Sequence, residues 1–272
     1  MADPIYLPFE RSRAIDEYAI QQRGISGIEL MGTAGRRVFE TLRSHGYLDA
    51  VDGPVVVVCG KGNNGGDGLV VAQHLAVAKI PVQIILVPDP ADIQGAAAHY
   101  FKIAQALKIP LLPADGPEIG PTILKASLLI DGLLGTGITG TILREPYARL
   151  VKQLNAALAP IVAIDVPSGL SGDFGKVTEP VITANLTVTM GFSKTAMLFP
   201  PAKIHLGELV VADIGFPRDS LSQTKGPLLR LLQSNEMDLQ YPRRAPDVYK
   251  YQVGKVSIIA GSRGFSGAAI LA

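Results

Sequence analysis

The chain has 272 residues, 47% of them apolar and 18% charged, enough for one large domain or for one domain and part of another. Its 25 Lys and Arg nearly cancel its 24 Asp and Glu, which leaves no electrostatic footprint for DNA, RNA or an anionic membrane. The one cysteine, Cys59, excludes an internal disulfide and fits a reducing cytosol. The opening MADPIYLPFERSR has no signal-peptide core, and no apolar run approaches the roughly 18–20 residues of a membrane span. A cytoplasmic protein that binds neither nucleic acid nor membrane is expected.

In chain order, RAIDEYAIQQR places Ile15, Tyr18 and Ala19 at helical spacing, and SGIELMGTAGRRVFETLRSHG continues with Ile28, Leu30, Met31, Ala34, Val38 and Leu42 up to a stop at Gly46. An alternation follows. PVVVVCG, PVQIILV, SLLID, PIVAIDV, LTVTM and GELVVADIG read as buried strands. GGDGLVVAQHLAVAK, DIQGAAAHYFKIAQAL and PYARLVKQLNAAL read as helices between them. Apolar strands alternating with amphipathic helices predict a Rossmann-like three-layer αβα sandwich on a mostly parallel, doubly wound sheet.

Ligands of such sheets bind outside the carboxyl ends of the strands. Four strands end in polar or glycine-rich turns: GKGNNGGDG, the turn after Asp131 (GLLGTGITG), the turn after Asp165 (VPSG), and GFSK. These four turns define the predicted site. After Pro217 the sequence reads as a linker with one short helix. GKVSIIAGSRGFSGAAILA then reads as a new strand, glycine turn and helix.

Gly60-Lys61-Gly62-Asn63-Asn64-Gly65 matches G-x-G-x-x-G, whose glycines permit positive φ and close approach of a phosphate to a helix start. Asp89, past the second strand, occupies the place of a ribose-binding acid. No Gly-Lys-Ser/Thr follows, so a Walker A loop is excluded. A pyrophosphate turn has no need of Asn63, Asn64 and Asp67; their oxygens suit hydroxyl groups or a hard cation. The four histidines have no ligand spacing and read as surface or packing residues.

GKGNNGGDG, DGLLGTGITG, AIDVPSGLSGD and TVTMGFSK…LFPPAKIHLGELVVADIGFP, in this order, resemble the YjeF N-terminal domain, the NAD(P)H-hydrate epimerase family, over residues 10–217. YQVGKVSIIAGSRGFSGAAILA resembles the start of a ribokinase-like, ADP-dependent NAD(P)H-hydrate dehydratase. The resemblance implies an epimerase domain over 1–217, a linker over 218–250 and a truncated dehydratase start over 251–272. It also implies a homodimer and a substrate, NADHX or NADPHX, hydrated at C6 of the nicotinamide ring. By the same resemblance, Asn63, Asn64, Gly65, Gly66 and Asp67 contact the hydrated dinucleotide, and Gly135, Thr136, Gly137, Ile138, Thr139, Gly140 and Thr141 wrap its phosphates. Asn64, Asp131 and Ser168 hold a potassium ion, and Asp165 contacts the substrate. Lys194 matches the family's lysine, although Ser193 stands where the family usually has proline.

Inversion at C6, a carbinolamine carbon, needs no redox change. It needs a carboxylate and a proton donor near C6. Asp165 is expected as the acid/base and Lys194 as its electrostatic or proton-donating partner. Two alternatives stand beside this reading. One is an NAD(P)-dependent oxidoreductase, suggested by G-x-G-x-x-G and Asp89. The other is a non-catalytic scaffold of the same fold, against which the retained Asp67, Asp131, Asp165 and Lys194 argue.

Overall fold

The computed structural model describes residues 5–49, 52–138, 140–231, 246–249, 252, 255, 257–264 and 267–271. The chain divides into two compact units, Met1–Leu231 and Leu232–Ala272.

The first unit opens with β1 (Ile5–Leu7), α1 (Phe9–Glu17), which runs on as a π-helical turn over Tyr18–Gln22, and α2 (Gly27–Ser44). Ser26 caps α2 by accepting from the Ile28 N–H at 3.2 Å. Next come β2 (Val55–Cys59), α3 (Asn63–Val77), β3 (Val82–Leu86), α4 (Gly95–Ala106), β4 (Leu111–Pro113), α5 (Ile119–Leu124), β5 (Leu128–Gly132), α6 (Tyr147–Asn155) and β6 (Ile161–Ile164). The unit closes with β7 (Leu186–Met190), β8 (Ser193–Lys194), β9 (Glu208–Ala212), α7 (Ser220–Gln223) and β10 (Leu229–Arg230).

Seven strands form one parallel sheet in the order β4-β3-β2-β5-β6-β7-β9. Its central strands are continuous apolar runs because both faces are covered. Val55, Val57, Cys59, Ile84 and Ile130 face α2, α3 and α4, whereas Val56, Val58, Ile85 and Leu129 face α5 and α6. The expected three layers are therefore present. The strand order reverses between β2 and β5, so the switch-point crevice lies where those two strands end.

The six strands expected in the first unit all form. The sequence reading missed β1, β4, β8 and β10, each of two or three residues and too short to show a period. Three of these make a second small sheet, β10-β1-β8, in which Leu7 pairs in parallel register with Lys194. The stretch after Pro217 is not a loose tether as far as Leu231. The buried Arg11 guanidinium donates to the carbonyls of Leu221, Thr224, Gly226 and Pro227 at 2.7–3.2 Å, and β10 pairs with β1. In the second unit α8 (Gly267–Leu271) forms as expected, but residues 257–260 make no strand. A strand needs a neighbour for its backbone groups, and the described residues of that unit supply none.

Candidate active site

The turn after β2 is shorter than the sequence suggested. Gly62 is the N-cap of α3, so Asn63, Asn64, Gly65, Gly66 and Asp67 form the opening turns of the helix. Gly60, Gly62, Gly65 and Gly66 all lack positive φ, which corrects the expected role of these glycines. Their value is closeness. A Cβ on Gly60 would overlap the Leu133 carbonyl oxygen, and one on Gly65 would overlap the Gly60 carbonyl oxygen. The turns that follow β2 and β5 are thus pressed together at the switch point, with the open N–H groups of α3 beside them.

A cavity of about 990 Å³ opens there. All four strand-end turns contribute to its lining: Lys61, Asn63, Asn64 and Asp67 after β2; Leu133 to Ile138 after β5; Asp165 after β6; Phe192 and Lys194 after β7. Of the residues expected at the phosphates, Gly135, Thr136, Gly137 and Ile138 line it. Gly140 and Thr141 are exposed outside it, the Thr141 carbonyl accepting from the Glu179 N–H at 2.9 Å. Thr139 lies outside the described residues. Gly65 and Gly66 do not line the cavity: Gly65 abuts Gly60, and Gly66 packs under Met31.

Asp165 directly follows β6 with φ at +62°, a left-handed conformation that costs a non-glycine residue energy. Its N–H donates to the Val188 carbonyl at 2.8 Å, which turns its side chain toward β7. Three donors converge on Oδ1: the Lys194 ammonium, the Thr189 hydroxyl at 3.1 Å and the Met190 N–H at 3.1 Å. Oδ2 has no donor among the described residues. Lys194 is 3% exposed, and its remaining hydrogen bonds go to the Thr189 hydroxyl at 2.8 Å and the Met190 carbonyl at 3.2 Å. Its three protons therefore all have acceptors, so Lys194 can fix and polarise Asp165 but has no proton free for a ligand.

Asp131, at the end of β5, is fully buried beneath the cavity. It accepts from the Ser168 N–H at 2.8 Å, the Ser168 hydroxyl at 2.6 Å and the Leu133 N–H at 3.2 Å. Burial still pushes its carboxyl up to about 6, against the lowering by those bonds. Asn64 joins the group by donating to the Leu134 carbonyl at 3.0 Å, while its own Oδ1 is buried without a partner among the described residues.

The N-terminal helix supplies a residue that sequence reasoning missed. Asp16 of α1 lines the cavity with Asp67, Asp165 and Lys194. Burial, and after it the Asp165 carboxylate, push Asp16 up to about 6, with Lys194 opposing. Burial drives Asp67 well above the ordinary carboxylate range, and Asp165 and Asp16 add to it. The apolar spacing of Ile15, Tyr18 and Ala19 had marked only the packed face of α1 and of the π-helical turn after it. Asp89, in contrast, is an exposed cap, accepting from the Ala91 N–H at 2.9 Å away from the cavity. The acid on which the oxidoreductase alternative relied thus has a structural use. Cys59 is buried, its thiol pushed up by desolvation. Among the described residues, no three His, Cys, Asp or Glu side chains group as a metal site, and no helix is long and apolar enough to cross a membrane.

A parallel α/β sheet with an acid–lysine pair at its switch-point cavity defines a Rossmann-like α/β protein with a candidate ligand site. A family model for the YjeF-related protein N-terminus matches residues 27–196, and the chain belongs to that family. It is 37% identical to the NAD(P)H-hydrate epimerase of Rhodopirellula baltica, over 79% of this chain and 86% of that protein. It is 36% identical to the bifunctional NAD(P)H-hydrate repair enzyme Nnr of Salinibacter ruber, over 96% of this chain and 50% of that protein. The chain thus spans about half the length of the bifunctional relatives it matches. The crystal structure of yeast ynu0 shares the fold, with a TM-score of 0.69 at 23% identity, covering 83% of this chain and 99% of that one.

Proposed function

We propose that the first unit is an isomerase that interconverts the R and S forms of NADHX and NADPHX at C6 of the hydrated nicotinamide ring. The observation that carries this reading is the held Asp165 carboxylate, one oxygen fixed and the other open to a cavity large enough for a dinucleotide's reactive half. The name borne by the Rhodopirellula relative agrees with it. The C6 hydroxyl lies on a carbon bonded to the ring nitrogen, so C–O or C–N cleavage leaves an electron-deficient carbon that can be closed again from the other face. Asp165 Oδ2 is the acid/base toward that hydroxyl or toward water. Lys194 holds Asp165 and keeps its charge in place.

Asn63, Asn64 and Asp67 hold the nicotinamide nucleotide. The turn Gly135 to Ile138, with the α3 N-terminus, takes the phosphates. Potassium fits Asn64, Asp131 and Ser168, since all are oxygen donors and the Asn64 Oδ1 is buried without a partner among the described residues. When bound there, the ion supplies positive charge beneath the ligand and neutralises Asp131.

The second unit is proposed as the opening of an ADP-dependent dehydratase domain. Bifunctional relatives from Salinibacter ruber, Moorella thermoacetica and Coxiella burnetii align over 95–96% of the chain, one from Pyrobaculum aerophilum over 79%, and those named epimerase alone over 74–79%. The compartment proposed is the reducing cytosol. The test of the activity is to incubate the chain with the pure R epimer of NADHX in potassium buffer and follow the S epimer by chromatography. Formation of S faster than in an enzyme-free control supports the reading; no acceleration refutes it.

A further inference from the structure

If Asp165 acts on one face of C6, a proton donor is still needed for the departing hydroxyl, and Lys194 has no proton free for it. Two carboxyl groups line the cavity without a hydrogen-bond partner among the described residues, Asp16 and Asp67. Asp67 is 8% exposed, within α3, and burial, with Asp165 and Asp16 adding to it, holds its carboxyl well above the ordinary carboxylate range. Asp16 sits on α1, a different element from both α3 and the sheet.

The arm that carries Asp16 is built into the site. Leu7 of β1 pairs with Lys194 itself. The Asp173 carboxylate ties the two ends together, accepting from the Phe9 N–H at 3.2 Å and the Thr195 hydroxyl at 2.7 Å. Arg11, five residues before Asp16, grips four carbonyls of the 221–227 turn. These anchors hold α1 as a wall of the cavity that also presents Ser12 and Asp16 one helical turn apart. The charged groups facing Asp16 are Asp165 and Lys194 from the sheet edge, Asp67 from α3, and Glu17 beside it on α1. The exposed Arg13, Lys61 and Arg144 line the same cavity.

We propose that Asp16 is a second catalytic residue of the site, the general acid that protonates the C6 hydroxyl as it leaves. This rests on the epimerase reading above. The Asp16 carboxyl proton passes to the hydroxyl oxygen, the C6–O bond breaks with its electron pair going to oxygen, and water departs. The ring-nitrogen lone pair forms the C6–N double bond of an iminium ion, and Asp16 is left as carboxylate. Water then adds to C6 from the other face and loses a proton to Asp165 Oδ2. In the reverse direction the two carboxyl groups exchange roles. A group raised to about 6 is suited to this cycle, because it both holds and releases its proton near neutral pH.

The test compares wild type, Asp16→Asn and Asp16→Glu as full chains, with ligand affinity, kcat against pH and incorporation of oxygen from H₂¹⁸O. Asp16 makes no hydrogen bond among the described residues, so Asn is expected to be tolerated structurally; a thermal melt checks this. Expected for Asp16→Asn is a kcat lowered by about 10²–10⁴-fold with affinity changed by less than about threefold. Because the acid must be protonated, wild-type turnover falls as pH rises through the Asp16 pKa, and this limb is absent in Asp16→Asn. Asp16→Glu restores part of the rate together with the limb, and product C6 acquires solvent oxygen. An active wild type with an undiminished Asp16→Asn, an unchanged alkaline limb, or no solvent oxygen in the product overturns the inference while the epimerase reading stands. A wild type unable to interconvert the epimers overturns both.

Discussion

At Asp165 one carboxylate oxygen is saturated by three donors and the other is open, so the residue is oriented before any ligand arrives. The positive φ keeps it there, and the local cost of that conformation is met by the packing of β6 and β7. Asp165→Asn keeps the shape and removes the charge and the proton-accepting power. Its kcat should fall about 10²–10⁴-fold while ligand affinity stays within a few-fold, as read by initial rates and calorimetry. Asp131 behaves differently, because it lies under the cavity instead of lining it. Asp131→Ala should weaken ligand binding more than it slows bound turnover and should abolish the difference between potassium and a bulky organic cation, measured by rate and affinity in each salt. Asp165, Lys194 and Asn64 were legible in the sequence because each follows an apolar strand, and strand ends share one edge of a parallel sheet. Asp16 was not, since nothing in a helical period says which distant element its polar face will cover.

The element that settles the geometry is α3, whose first turn carries Asn63 and Asn64 because Gly60 and Gly65 let it press against the ends of β2 and β5. G-x-G-x-x-G foretold a glycine-dependent contact, but the motif alone cannot separate glycine used for handedness from glycine used for closeness. Its span was also misread: counting glycines as loop residues delayed the helix to Gly65, where tertiary packing starts it at Asn63. The N-terminal arm depends on Arg11 in the same way that α3 depends on its glycines. Arg11→Met leaves four carbonyl groups without their charged donor, so stability to urea should fall by at least about 2 kcal/mol. Since α1 forms one wall of the cavity, KM should rise as well. A variant with unchanged stability and KM would mean that the arm is held by other contacts.

Over the whole molecule, the layered α/β fold was readable because hydrophobic period and strand–helix alternation are properties of long segments. The end of the first unit was not. Residues 218–231 have little periodicity, and what fixes them is a side chain more than 200 positions earlier in the chain, Arg11. Removal of residues 232–272 should therefore leave the melting temperature and the activity of the first unit nearly unchanged. Cutting after Pro217 should remove both β10 and the acceptors of Arg11, and the product should unfold at markedly lower urea. Equal stability of the two truncations would place the boundary back at residue 217. The most direct measurement of all starts from each pure epimer of NADHX in separate reactions with the full chain, both followed by chromatography. The Asp165 site as described should carry the two reactions to one common R/S mixture with no change in nicotinamide redox state. Two mixtures that stay apart, or an oxidised nicotinamide as product, would mean that this cavity does something other than invert C6.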